Sequence, residues 1–285
     1  AFCERFKFKT YLVFLVLWIT FVYAPIAHWV WDPNGWLFKL GALDFAGGAV
    51  VHINAGVAAI AAAALVGRRR NIDRGVEPHD VPTVMLGAGI LWFGWFGFNA
   101  GSGLAADGIA VSAFLVTNTC AATGMMMWVF LGMIHSNKVS GVGAATGAIA
   151  GLATITPAAG FVGPGPAIII GIVSGAVTYY AVYFKNLFSL DDALDVFAVH
   201  GLGGITGAIL TGVFAVEAIG GTAGALEGNL SQIGTQLYGI IATIIWSAVA
   251  TAVIIFVIDK TIGIRVDKDA ESEGLDLNQH GEMIH

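Results

Sequence analysis

Charge is scarce in this sequence. Only 11% of its 285 residues are Asp, Glu, Lys or Arg, against about a quarter in soluble domains, which excludes a water-soluble enzyme. Basic residues are few enough, at a formal net charge of -6, to exclude nucleic acid as a partner, because phosphate binding needs clustered cations on one face. Cysteine is nearly absent. Cys3 and Cys120 cannot make a disulfide framework, and neither sits in a CxxC or His-spaced metal pattern. The HExxH signature of zinc proteases is missing too. What remains is 57% hydrophobic, with a mean hydropathy of +0.80 and 39 glycines.

The apolar residues come in runs long enough to cross a bilayer, which takes about 20 residues per helix. Eight crossings are predicted, near 10–31, 45–66, 81–101, 109–134, 139–158, 163–184, 196–216 and 233–258. The fold class is therefore an all-α polytopic membrane protein. Basic residues test the count, because they gather on the cytoplasmic side and so in alternate loops. Arg5, Lys7 and Lys9 precede the first run; Arg68, Arg69, Arg70 and Arg74 follow the second; Lys138, Lys185 and the set Lys260, Arg265, Lys268 follow the fourth, sixth and eighth. Lys39 alone lies in an opposite connection. Both ends are thus expected in the cytoplasm, with residues 1–265 the membrane domain and 266–285 a cytoplasmic tail. Glycine and alanine inside the runs let helices approach closely, which favours a compact bundle.

Ionisable residues inside such runs mark a pathway, a relay or a paired structural site. Asp44 opens the second run and His52 lies eight residues on, about 12 Å along the axis. The seventh run repeats the theme with Asp195 and His200. Five crossings separate the two, so their helices are antiparallel, the mark of an inverted repeat whose site lies near the midplane. Desolvation disfavours a charged imidazole, so both rings are expected neutral, one nitrogen donating and the other accepting. Without a third ligand at that depth they make a poor zinc site, and no metal or other cofactor is expected. A lone buried histidine is as often a packing residue; two at matching places favour a shared site. Asp44 reads first as a helix cap, and Asp191, Asp192 and Asp195 read likewise for the seventh run. At the outer end of the third run Phe98 and Ser102 are four apart and share a helical face. With Trp31 they form a candidate site for a small cation, held by cation–π attraction and one hydrogen bond. The interfacial aromatic belt is the plainer reading, and it accounts for Trp29, Trp36 and Trp92.

These segments resemble the ammonium transporter family of Amt, Mep and Rh proteins, and its Amt branch in particular. The resemblance rests on Asp44-Phe45-Ala46-Gly47-Gly48-Ala49-Val50-Val51-His52-Ile53-Asn54, on Gly94 to Ser102, on Asp195 to Gly201, and on the tail motifs Glu273-Gly274-Leu275-Asp276 and His280-Gly281-Glu282. It covers the whole chain. It implies a bundle of eleven helices with two inverted five-helix halves, of which eight are seen here, and a homotrimer with one pore per subunit. The sequence opens at Ala1 without Met, and the repeat count places about three further spans before it. By the resemblance Trp31, Phe98 and Ser102 are the outer ammonium site, His52 and His200 the pore pair, and Asp44 the acid supporting the outer site. It also implies a PII signalling protein as a partner at the cytoplasmic face. Ammonium transport across the cell membrane is the function it implies, with an ammonium sensor of little flux as the alternative. An intramembrane enzyme lacks a nucleophile at matching depth, and an Rh-type channel has a different outer site.

Overall fold

The computed structural model describes residues 1–70, 78, 80–185 and 190–282. Arg74, counted above with the basic residues of its loop, and His285 at the end of the tail lie outside them. Among the described residues the chain is almost wholly helical, with one isolated bridge between Phe6 and Arg265. Seven helices are long and apolar enough to cross a membrane: α1 (Phe8–Leu40), α2 (Gly48–Val66), α3 (Val81–Gly101), α4 (Gly108–Ser136), α6 (Pro164–Lys185), α7 (Phe197–Phe214) and α8 (Ser231–Thr261). The eighth predicted crossing is α5 (Gly141–Ile155), a shorter helix that ends in turns before Pro164. The caps expected of polar residues before apolar runs are present: Asp107 accepts from Ile109 and Ala110, and Ser140 from Gly143.

Small residues set the packing of α4, α5 and α6. A Cβ on Gly151 would lie 2.5 Å from the Cys120 carbonyl oxygen, and one on Gly175 would lie 2.7 Å from that of Gly124. Backbone meets backbone here because lipid supplies no hydrophobic drive between helices. Apolar side chains cover the outer surface instead, as at Phe93, Val111 and Val249.

One end of the bundle gathers Arg5 with Arg69, Arg70 and Arg265, which follow even-numbered crossings. Arg5 is fully buried and donates to the carbonyls of Gly67 and Asp191. Arg69 grips Asp191 with its guanidinium and its backbone N–H, at 2.8–3.2 Å, and reaches Glu4 at 2.9 Å. Arg265 donates to the carbonyls of Val66 and Arg68 and pairs with Glu271 of the short tail helix α9 (Lys268–Glu273). The tail is thereby folded against this end, and Phe8 meets it through Gln279 and the ring of His280.

Candidate functional site

The two histidine helices each open with a π-helical turn, Gly48–Ile53 in α2 and Phe197–Gly201 in α7. A widened turn of this kind is rare and recurs at functional positions. Asp44 builds the first: its carboxylate accepts the N–H groups of Gly47, Gly48, Ala49 and Val50. Gly47 enters that turn at φ +127°, where a Cβ would also strike Val51. Asp44 is thus the cap its position predicted. For α7 the three candidate caps divide. Asp192 accepts from Phe197 N–H at 2.8 Å, Asp191 belongs to the arginine cluster, and Asp195, with φ 55°, pairs with Lys185.

The helices run antiparallel, as the crossing count required. The C-terminal end of α2 meets the start of α7 through Arg69 and Asp191, whereas the approach to α2 meets the middle of α7 through one glutamine, Gln236 of α8. Glycines bring their backbones together, with Ala49, Ile53 and Val57 packed against Phe197, Ile205 and Ala208 beside them. A Cβ on Gly56 would lie 2.3 Å from Gly201 Cα, and one on Gly204 would lie 2.9 Å from both the Gly48 carbonyl oxygen and His52 Cβ. This close approach brings His52 Nδ1 within 3.2 Å of His200 Nδ1, with the rings 5.2 Å apart and 19° from parallel. His52 is 2% exposed, and among the described residues its Nε2 has no hydrogen-bond partner. Two nitrogens sharing one hydrogen bond fix opposite tautomers, so one ring offers an accepting Nε2 and the other a donating one.

A cleft of about 550 Å³ runs past the pair, lined otherwise by Val51, Ala55, Leu91, Trp95, Phe98 and Val196 among others. Trp95 was not singled out from the sequence, yet its ring stacks on His52 at 5.3 Å and 17° and packs beside Phe98. Its indole N–H goes to Thr156 Oγ1 at 3.0 Å. The available signal was its spacing of three residues before Phe98, which puts both on one face of α3. Phe98 also meets His52 edge-on at 6.2 Å. Ser102 donates its hydroxyl proton to the Phe98 carbonyl, leaving the oxygen lone pairs free. Trp31, 38% exposed, is tied instead to Asp44, whose carbonyl accepts its indole N–H at 2.8 Å. Among the described residues no ring contact joins Trp31 to Phe98, so the structure links His52, His200, Trp95 and Phe98 in one group and Trp31 with Asp44 in another.

A bundle of apolar crossings, with two antiparallel helices joined at a buried histidine pair beside an apolar cleft, defines a polytopic membrane protein of the transporter class. The family model of the Ammonium Transporter Family matches residues 1–285, and the chain belongs to that family. It is 46% identical to the ammonium transporter Amt1 of Archaeoglobus fulgidus over all of this chain and 73% of that protein. It is 50% identical to an ammonium transporter of Aquifex aeolicus over all of this chain and 67% of that protein. The fold is similar to that of Saccharomyces cerevisiae Mep2, with a TM-score of 0.88 at 38% identity over 93% of this chain, and the match spans only 62% of the Mep2 chain. A protein described as a sensor Amt protein matches with a TM-score of 0.89 at 31% identity, over 98% of this chain and 72% of its own. These relatives are named as transporters or as a sensor, not as enzymes.

Proposed function

We propose that this protein moves ammonium across the cell membrane, binding the ion at an outer site of Trp31, Phe98 and Ser102 and passing it, once deprotonated, along the cleft as ammonia. The observation that carries the reading is the contact at 3.2 Å between His52 and His200 within an apolar wall. Neutral imidazoles offer hydrogen bonds to a small polar molecule, while the wall charges any ion its dehydration energy. Potassium is refused on that account, and a cation able to shed a proton is not. At the outer site Ser102 Oγ has its own proton committed to Phe98 and so accepts an N–H from the ion, and the exposed Trp31 ring offers a cation–π face. Asp44 supports this site from behind through its carbonyl.

Trp31→Leu or Ser102→Ala in the intact protein should each weaken methylammonium recognition by about 0.5–2 kcal/mol, roughly a 2- to 30-fold rise in half-saturating concentration. Unchanged concentration dependence in both variants would remove the outer site.

The proposal extends to the assembly. Residues 1–265 form the membrane domain of a homotrimer in the cytoplasmic membrane, and 266–285 a tail on the cytoplasmic side. The tail's turns at Gly274 and Gly281, both at positive φ, and its pairing through Glu271 make a folded surface for a PII protein, whose three-fold symmetry suits a trimer. Truncation at Val266 should abolish co-purification of PII from membranes after an ammonium shock; equal recovery from both forms would exclude the tail. The likeness to a sensor Amt protein favours one second reading, an ammonium sensor with little flux. Proteoliposome uptake distinguishes the two.

A further inference from the structure

Span α8 carries an amide whose bonding goes beyond helix packing. Gln236, 3% exposed, accepts the Leu43 N–H on Oε1 at 2.7 Å and donates from Nε2 to the Leu43 carbonyl at 2.8 Å and to the Ala208 carbonyl at 3.0 Å. One turn earlier Gln232 donates to the Gly41 carbonyl at 2.9 Å and to Gln236 Oε1 at 3.3 Å. Residues 42–44 belong to no helix, so their backbone groups need partners from elsewhere. Gln236 supplies both for Leu43, much as a neighbouring strand would.

The residue so held is the one before Asp44. The Asp44 carbonyl takes the Trp31 indole N–H, and its carboxylate builds the turn that carries His52. Ala208, the other partner, lies on the helix of His200. One buried side chain therefore ties the approach to the outer site and both histidine helices to a common point. A leucine or methionine would fill the same volume with no amide to desolvate. An amide in an apolar bundle is favourable only when fully paired, and this one is.

We infer that Gln236 is a positioning residue: through Leu43 it sets where Asp44 stands, and with it the Trp31 ring. The inference rests on the outer-site reading above. Initial rates of methylammonium uptake against concentration, in the intact protein and normalised to assembled protein in the membrane, provide the test. Gln236→Leu should raise KM about tenfold, the loss expected of a paired buried amide, with maximal rate changed less than about twofold. Gln232→Leu, which removes the bond to Gly41 and the longer one to Gln236 Oε1 but leaves both bonds between Gln236 and Leu43 in place, should move KM less. The double variant Gln236→Leu with Trp31→Leu should raise KM no further than the larger single effect, because both act through one site. If Gln236→Leu does not assemble, Gln236→Met, the nearest in shape, takes its place in the same comparison. KM unaltered in the glutamine variant while Trp31→Leu raises it, or full additivity in the double, would overturn the positioning role. A Trp31→Leu variant with unaltered KM would instead remove the outer site itself.

Discussion

Replacing His52 by Asp should admit potassium to the path proposed above to refuse it. His52 is buried, one ring nitrogen is committed to His200 and the other has no partner among the described residues. Aspartate puts a fixed negative charge at that point. A charged side chain at the centre of a spanning helix costs about 2.5–3.5 kcal/mol on insertion scales, and a cation entering the cleft offsets that cost by pairing with it. The barrier that the apolar wall raises against bare ions should therefore fall for potassium and ammonium alike, and the proposed discrimination by proton loss should disappear. His200→Asp should act in the same direction, from the opposite helix. Currents across proteoliposomes under a potassium gradient give the readout. Variants as silent toward potassium as the parent would show that the histidine pair does not line the conducted path.

The second large effect belongs to the arginine cluster. Asp191→Asn keeps the shape of the side chain but leaves the buried Arg5 with no compensating charge and Arg69 with only the exposed Glu4. Breaking such a pair from one side destabilises by about 3–5 kcal/mol, and Arg69→Ala should cost less, because Arg5 still lies 3.7 Å from the Asp191 carboxylate. Loss of thermal stability in detergent measures it, and variants that melt with the parent would reduce the cluster to a surface contact. The pH dependence follows from the same geometry. Burial alone would push the Asp191 carboxyl up, but the hydrogen bonds from Arg69 and the charge of Arg5 outweigh it and hold the carboxyl below its ordinary value. A carboxyl depressed on folding stabilises fully above its unfolded pKa, near 3.9, and that stability is lost as pH falls through the lower folded value. The clamp should thus be intact at neutral and mildly acidic pH and open only below about pH 4, and Asp191→Asn should lose that part of the acid dependence.

Asp44 shows how far a local pattern reaches. An acid ahead of an apolar run, followed by two glycines, was legible as a cap, and the structure adds only how many N–H groups it takes. The eight crossings were legible for a similar reason, since hydropathy and the alternation of basic loops are properties of consecutive residues and of the bilayer as solvent. The antiparallel histidine helices followed from counting crossings. Trp95 was half legible, being in phase with Phe98 on α3, but nothing in its own segment reveals that His52 lies against its ring.

Other roles depended on partners far along the chain. Arg5 and Arg69 read as markers of sidedness, and only folding made them ligands of Asp191, 186 and 122 residues away. Three neighbouring aspartates looked equivalent as caps until the backbone at Asp195 turned to positive φ and left Asp192 in reach of Phe197. Gln236 was one polar residue in an apolar helix, without a signal, until Leu43 was placed against it 193 residues distant. The sequence by itself determined which segments enter the membrane, in which alternating sense, and which two helices carry the histidines, because each of these is decided by transfer of consecutive residues from water to lipid. Tertiary structure alone decided that the two imidazoles meet, because that meeting requires Gly56 and Gly201, and Gly48 and Gly204, to bring two backbones closer than any side chain would allow.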